Sequence, residues 1–425
     1  GWAWWPWKRI ETITCPYSIN SNSNYEAIIK YWKGEGAKPS VADAVQGLSQ
    51  LTTDLLLDNN VYYKDVVDAV LRQPQDETHI PYADHQIPGV VYLSDYDLGT
   101  NGIAYYDVNY ANYSLSGEPY EAWNSGWAYR NDGVDIQTNS DNTNSNGYHI
   151  GYTKDKEWLK YTVEVIETGF YNINFRYATT QSGGKVKLFI NDLDIVGNVN
   201  LGNTGGWSNF VNQYIENIYL EAGKHVLKVE IEGSSEFNMS SIEFLKSTDA
   251  IPDFEVLSAS TNGDEKSIKI VLNHPINQTD LANSLFEIMV NNTPREIESV
   301  EIDASTTRFV TIKLADYLFY QDEIKVSYND TIITSIYNYL LSTFAGLVVD
   351  NNLRTRLLIP GKIQAEDFNN QSGLETENTS DNGAGQNIGY TDAGDYAEYL
   401  IYISDSGNYN LNTRTAAQSN AGKIE

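Results

Sequence analysis

Three side chains, two aromatic rings and one amide, stand at positions where they could contact a ligand. Tyr152 follows Gly151 and precedes a polar loop, Trp207 follows two glycines, and Asn238 stands at the start of an apolar alternating pattern. Two aromatic faces can hold a pyranose ring between them, with about 1–2 kcal/mol for each face by analogy with aromatic pairs. An amide can bond two neighbouring hydroxyls. These residue types predict a sugar-binding cleft, although packing at a strand end remains an alternative for Tyr152.

The composition narrows the class of partner. The chain has 425 residues, a formal net charge of -29, 31 tyrosines and nine tryptophans. So acidic a surface repels phosphate backbones and anionic lipid, whereas neutral polymers are not repelled. No apolar run is long enough to span a bilayer. We therefore expect a polysaccharide partner, no nucleic acid, no membrane insertion and a monomer.

No catalytic constellation is recognisable from residue spacing. Glycoside hydrolysis, for example, needs two positioned carboxylates, and no such pair stands out among the acidic residues. The five histidines show no metal-ligand spacing, and there is no nucleophile elbow or phosphate loop. Whether this chain is an enzyme is left open, and no catalytic residue is predicted in it.

The first 80 residues predict helices. Asn24 is the predicted cap of a helix over Tyr25–Lys33, Ser40 begins a second helix, and a third covers about 64–73, where Pro74 stops it. We divide this part into residues 1–35 and a helical linker over residues 36–80.

Beyond residue 85 the hydrophobic period changes to two, which is typical of strands. Over residues 85–247 short alternating runs with glycine and asparagine turns predict an antiparallel β-sandwich, with Trp158 in its core. Residues 250–350 predict a second all-β unit of immunoglobulin-like size. The overall fold class is therefore mainly β, with tandem sandwiches.

Residues 357–425 repeat the first sandwich. The segment H-I-G-Y-T-K-D-K-E-W-L-K-Y from His149 aligns without gaps with N-I-G-Y-T-D-A-G-D-Y-A-E-Y from Asn387, and Tyr390 corresponds to Tyr152. Glycines, aromatics and strand period in one register indicate a duplicated module. The copy stops partway, so we expect it to be truncated and both ends of the chain to be cut.

These motifs resemble the family 6 carbohydrate-binding module. The resemblance rests on Y-R-N-D-G-V-D-I, G-Y-H-I-G-Y-T, T-G-G-W and F-N-M-S-S-I-E-F within 87–246. It implies a jelly-roll sandwich whose ligand cleft uses Tyr152, Trp207 and Asn238, with Asp132 contributing from a nearby loop. In the repeat, only Tyr390 of these positions remains.

The chain departs from that family in two places. The family often holds a structural calcium ion through a glutamate in A-E-D-Y, where the first copy has Ser94 and the second keeps Glu366. The resemblance therefore implies calcium only at Glu366. Residues 98–130 also form a long loop bearing Tyr105, Tyr113, Trp123 and Trp127. This loop could wall the cleft, bind separately or pack in the core.

The amino terminus resembles the end of a family 5 glycoside hydrolase. Trp2, Trp4, Trp5 and Trp7 precede a loop and a helix, as after the last strand of a (β/α)8 barrel. The resemblance implies a remnant of such a barrel, in which Trp5 floors a sugar subsite.

The leading hypothesis is a targeting region of a larger secreted glycoside hydrolase, a cellulase or hemicellulase of bacterial type. It binds a β-glycan such as β-glucan or xylan, and the immunoglobulin-like unit spaces the two modules. The alternatives are endo-β-glycanase activity, which belongs to the parent enzyme, and an acidic cell-surface adhesin or stalk. Either setting is extracellular.

Overall fold

The computed structural model describes residues 6–72, 76–108, 125–304, 306–354, 356–379 and 385–416. These residues form two units, Gly1–Pro252 and Asp253–Glu425. The fold class is mainly β, as predicted. No helix in the described parts is long and apolar enough to span a membrane. Trp5, Tyr113 and Trp123 lie outside the described residues.

The segment ahead of the first sandwich contains helices and a small sheet. Its elements are β1 (Lys8–Ile10), β2 (Tyr17–Ile19), α1 (Ser23–Lys33), α2 (Val41–Asp54), β3 (Val61–Tyr62) and α3 (Lys64–Leu71). Strand β2 pairs in parallel with β1 and antiparallel with β3.

The helix starts follow capping chemistry. The prediction of Asn24 as the first cap is wrong, because Asn22 has the extended backbone of a cap and its side chain accepts from the Tyr25 amide. Ser40 caps α2 as expected. The two asparagines lie two residues apart, and sequence alone does not fix which of them has the extended backbone of a cap.

Two sheets form the first sandwich. Their strands are β4 (His85–Ile87), β5 (Gly89–Tyr92), β6 (Tyr105–Tyr106), β7 (Ile136–Thr138), β8 (Tyr148–Ile150), β9 (Trp158–Val165), β10 (Gly169–Ala178), β11 (Gly184–Ile190), β12 (Leu193–Asp194), β13 (Val199–Leu201), β14 (Val211–Leu220), β15 (Gly223–Gly233) and β16 (Asn238–Lys246). One sheet has the order β14-β10-β16-β8-β7, with β5 also on β16. The other has the order β12-β11-β15-β9-β4, with β13 on β11 and β6 on β9.

Strand alternation places the core between these sheets. Leu159, Tyr161 and Val163 of β9 are buried, together with alternate residues of β10, β11 and β15. Trp158 is the exception. It is half-buried on the opposite face, where it stacks on Tyr106 at 6.5 Å between ring centroids. The prediction of Trp158 as a core residue is wrong, because alternation with buried Leu159 turns it outward.

The second unit begins with two four-stranded sheets around one core. The sheet orders are β17-β18-β22-β21 and β20-β19-β23-β24. The strands are β17 (Val256–Thr261), β18 (Ser267–Leu272), β19 (Phe286–Val290), β20 (Thr293–Arg295), β21 (Ile297–Ile302), β22 (Phe309–Leu314), β23 (Ile324–Tyr328) and β24 (Phe344–Val348). An immunoglobulin-like assignment stays a prediction.

The remaining strands reproduce pairings of the first sandwich. They are β25 (Leu357–Ile359), β26 (Asn370–Ser372), β27 (Glu375–Asn378), β28 (Gln386–Gly389), β29 (Tyr396–Glu398) and β30 (Ile401–Ile403). Strand β25 pairs in parallel with β30 as β4 pairs with β9. The Tyr161 hydroxyl donates to Leu93 O at 2.8 Å, and the aligned Tyr399 hydroxyl donates to Ala365 O at 2.7 Å.

These two tyrosines give a matched test of burial. Tyr161→Phe leaves the Leu93 carbonyl without its partner in a fully buried site, so we expect a loss of about 1–2 kcal/mol in the free energy of unfolding. Tyr399→Phe removes a bond that water can replace, and we expect a loss below about 0.5 kcal/mol. Urea unfolding of both variants measures this difference. Equal losses would show that burial does not set the strength of this bond.

Candidate functional site

Three loops at one end of the first sandwich carry Tyr152, Trp207 and Asn238. Tyr152 follows β8, Trp207 lies between β13 and β14, and Asn238 opens β16. The Asn238 amide nitrogen donates to the Trp207 carbonyl at 2.8 Å. The same asparagine is buried, whereas Tyr152 is 44% exposed and Trp207 is 39% exposed. Asn238 therefore holds the Trp207 loop while both rings stay accessible to a ligand.

Glycine at position 151 lets polar side chains converge beside Tyr152. A Cβ at Gly151 would lie 3.1 Å from both Asn238 Oδ1 and Gln137 Oε1. The Gly151 amide donates to Asp135 O at 2.9 Å, and Gln137 Nε2 donates to the Tyr152 hydroxyl at 3.4 Å. The absent side chain thus leaves room for two amide groups next to an exposed aromatic ring.

The backbone presents the Tyr152 ring directly. Tyr152 has a left-handed conformation with φ of 51°, which is uncommon for a non-glycine residue. The next residue, Thr153, is buried and exchanges two hydrogen bonds with Phe237, at 2.8 and 2.9 Å. These bonds fasten the Tyr152 loop to the residue before Asn238. The aligned Tyr390 has the same left-handed conformation, with φ of 54°, and is 70% exposed.

The Trp207 loop is fixed at its base. Thr204 and Thr179 are joined by hydrogen bonds of 2.9 Å from the Thr179 amide and from the Thr204 amide. Gly205 has a φ of +84°, where a side chain would be strained. Trp207 is therefore carried on a short turn whose first residue is bonded to Thr179.

Two residues that the sequence did not single out lie in this cluster. Gln137 contacts Tyr152, and the His149 ring meets Phe210 edge-on at 5.5 Å between centroids. Neither ring nitrogen of His149 has a hydrogen-bond partner among the described residues. Strand alternation was the available signal, since Gln137 follows buried Ile136 and therefore points outward.

Asp132 is bonded to Arg130 and to Tyr96. Its carboxylate pairs with Arg130 at 2.9 Å and accepts a hydrogen bond from the Tyr96 hydroxyl. Arg130 is fully buried. The Asp132 carboxylate compensates the charge of a buried arginine and is already hydrogen-bonded without a ligand. It therefore stabilises the fold at this point.

In the first sandwich, a serine, Ser94, stands where the family resemblance implies a calcium-binding glutamate. Ser94 is fully buried, and its hydroxyl accepts from Asn146 Nδ2 at 2.8 Å. Tyr129 donates to the neighbouring Asp95 at 2.5 Å. Calcium takes six to eight oxygen ligands, and the Ser94 and Asp95 oxygens are both engaged in these hydrogen bonds. Around Glu366, the described residues include no cluster of three His, Cys, Asp or Glu side chains placed for a metal.

The model of the carbohydrate binding module (family 6) matches residues 127–246 and 364–425. The chain contains a family 6 carbohydrate binding module. The first match includes Tyr152, Trp207 and Asn238, and the second includes Tyr390 and Glu366. The repeat deduced from aligned glycines and tyrosines thus coincides with two matches to one family.

Solved structures of the same kind are similar to part of the chain. A carbohydrate binding module from Cellvibrio mixtus lichenase 5A, in complex with cellotriose, is 24% identical, with 27% of this chain and 88% of that chain covered and a TM-score of 0.25. A β-1,3-glucan binding module from Bacillus halodurans is 17% identical, with 39% and 100% covered and a TM-score of 0.28. The family match carries the assignment, and these likenesses do not add to it.

His149 predicts a pH dependence of stability. Burial lowers its pKa to about 4, from an ordinary value of 6.5. Between these values the unfolded chain binds a proton that the folded module does not, so stability present above pH 6.5 is lost as the pH falls towards 4. The loss reaches about 3 kcal/mol. Unfolding free energies of wild type and His149→Phe across pH 4–7 should differ in slope. Parallel curves would contradict this origin.

Gly151→Ala tests the space beside Tyr152. The added methyl group presses on the Asn238 and Gln137 amides, so we expect several-fold weaker carbohydrate binding with little change in the thermal midpoint. Gly407→Ala is the matched control, because nothing lies within 4 Å of a Cβ there. Affinity electrophoresis in soluble β-glucan and xylan compares the two. Unaltered mobility shifts in Gly151→Ala would show that the amides do not touch the ligand.

Proposed function

We propose that this chain binds a neutral β-glycan through Tyr152, Trp207 and Asn238. The observation that carries the proposal is the Asn238–Trp207 bond of 2.8 Å beside two exposed rings, within a segment that matches the carbohydrate-binding family. Exposed aromatic faces are suited to the apolar faces of pyranose rings. The side chains converging at Gly151 supply amide groups for hydroxyls.

The charge of the chain favours an uncharged ligand. At a net charge of -29, the protein repels polyanions, while stacking and hydrogen bonds to hydroxyls are indifferent to that charge. The relatives bind related sugars: one is described with cellotriose and another with xylose. We propose β-glucan or xylan as the ligand class.

The finer parts of the proposal rest on sequence. We propose that the module holds an attached, secreted glycoside hydrolase on its substrate, and that residues 1–35 derive from a family 5 barrel. Tyr390 is proposed as a weaker contact of the second module. Calcium at Glu366 is also a proposal, and a rise in thermal midpoint with calcium that Glu366→Gln abolishes would support it.

The binding test uses the full chain and a panel of soluble β-glucan, xylan and laminarin. Trp207→Ala removes one stacking face and should weaken binding about 5- to 30-fold, from about 1–2 kcal/mol. Tyr152→Phe keeps the face and should change binding less than Tyr152→Ala. The control is Trp32→Ala, which removes an exposed indole from α1. A wild-type chain that binds none of these polysaccharides would overturn the proposal.

A further inference from the structure

A second cleft lies within the first unit, on the side where the amino-terminal segment meets the sandwich. It encloses about 490 Å³. One wall carries Glu11 and Tyr62 from the β1–β3 sheet, and the other carries Trp127, Tyr129 and Tyr148 from the sandwich. We call it the aromatic cleft. Its lining shares no residue with the site formed by Tyr152, Trp207 and Asn238.

We propose that the aromatic cleft is a second binding site for a neutral glycan chain. The inference takes its ligand class from the proposed carbohydrate function, but its residues and its test are separate. The volume falls within the range of about 300–1,000 Å³ that is usual for ligand sites.

The amino-terminal wall presents aromatic rings in a row. Tyr62 lies 5.2 Å from Tyr17, and Tyr17 lies 5.6 Å from Trp7, measured between ring centroids. Tyr62 is 47% exposed and Trp7 is 49% exposed. Tyr62 lines the cleft, and Tyr17 and Trp7 continue the run of rings away from it. An exposed ring offers a flat face to the apolar face of a sugar unit.

The opposite wall presents Trp127. A Cβ at Gly126 would lie 1.7 Å from the Ile136 carbonyl oxygen, so the chain passes directly against β7 and only glycine fits. Trp127 follows with a left-handed φ of 50° and is 39% exposed. Trp127 lines the cleft from the sandwich side, and Tyr62 lines it from the amino-terminal side.

Tyr129 and Tyr148 line the same side of the cleft as Trp127 and are held by several contacts. Tyr129 stacks on Tyr148 at 4.4 Å and meets Tyr82 edge-on at 5.9 Å. The Tyr129 hydroxyl is bound to Asp95 at 2.5 Å. These rings cover one another and form the base of the cleft, while Trp127 and Tyr62 provide the accessible faces.

The two walls are joined by directional contacts. The Asn131 amide donates to Asp65 Oδ2 at 2.7 Å, and the Arg130 guanidinium lies 4.4 Å from the Tyr82 ring centroid. Within the amino-terminal wall, the Tyr63 amide donates to Pro16 O at 2.9 Å. A cleft whose walls are already fixed loses little freedom when it binds.

The polar groups of the lining favour hydroxyls over anions. Glu11, Thr12 and Asn20 supply carboxylate, hydroxyl and amide groups, and no lysine or arginine is among the described lining residues. Glu11 already accepts from the Ser21 amide at 2.8 Å, which orients its carboxylate. A neutral sugar satisfies these groups, whereas a uronic acid would meet Glu11 without a compensating cation.

The test counts binding sites on the full chain. Isothermal titration with cellohexaose, xylohexaose and laminarihexaose compares wild type, Trp207→Ala, the double variant Tyr62→Ala/Trp127→Ala, and all three substitutions together. Trp32→Ala is the control for loss of an exposed indole. We expect the best hexasaccharide to bind at two sites in wild type, one in Trp207→Ala, one in the double variant and none in the triple variant.

Long polysaccharide adds a second readout. Two sites on one body engage a single chain together, so the double variant should lose about 10- to 100-fold in apparent affinity for polymer. Tyr62→Ala alone changes an exposed ring on one wall and reports on the cleft even where the double variant is unstable. Tyr62→Phe, which keeps the ring, should retain both sites.

The outcomes separate this proposal from the proposed function. If Trp207→Ala abolishes all binding, the aromatic cleft is no second site, and the function at Trp207 stands. If binding is lost only in the aromatic-cleft variants, the second site stands, and the function at Trp207 fails. If the wild type binds one equivalent and Tyr62→Ala has no effect, the second site is overturned.

Discussion

One buried cation joins the parts of the first unit. The Arg130 guanidinium lies between the Tyr82 and Tyr96 rings, at 4.4 and 3.6 Å from their centroids. Burial alone would lower the pKa of Arg130, but the neighbouring Asp132 and Asp65 carboxylates outweigh it and raise that pKa. Since a buried charge is costly without such partners, these residues must stay together.

The buried Arg130 cluster is close in the chain to residues of both the Tyr152–Trp207 site and the aromatic cleft. Tyr82 belongs to the segment after α3, Tyr96 follows β5, and Arg130 precedes β7, so three parts of the chain meet at one side chain. Asp65 links the same cluster to α3 through the Asn131 amide. The loop that carries Trp127 and the strand that leads to Gln137 start from this fixed point. Asp132, chosen from sequence as a sugar contact, pairs with Arg130 in this cluster, and its contact with a sugar stays a prediction.

Features that follow from hydrophobic period or from glycine-rich turns could be predicted from the sequence. Alternation located β9, β10, β11 and β15, and glycine-rich turns located Tyr152 and Trp207. The sequence could not show that the Asn238 amide donates to the Trp207 carbonyl, because that bond depends on how two distant loops meet. Gln137 and His149 were missed although both lie on short strands, and for Gln137 the alternation with buried Ile136 was an available signal. Trp158 was misplaced because a large indole outweighed the alternation that put Leu159 inside.

The tyrosine at the head of the candidate site has a conformation that the chain uses twice. Tyr152 and Tyr390 both lie in the left-handed region, although few non-glycine residues do. The main chain thus fixes the direction in which the side chain leaves the loop, and the backbone entropy of that conformation is lost during folding. A ligand then needs no main-chain rearrangement at this residue, so encounter is governed by diffusion and orientation. Sugars that bind the site strongly or weakly would accordingly differ in their dissociation rates rather than in their association rates.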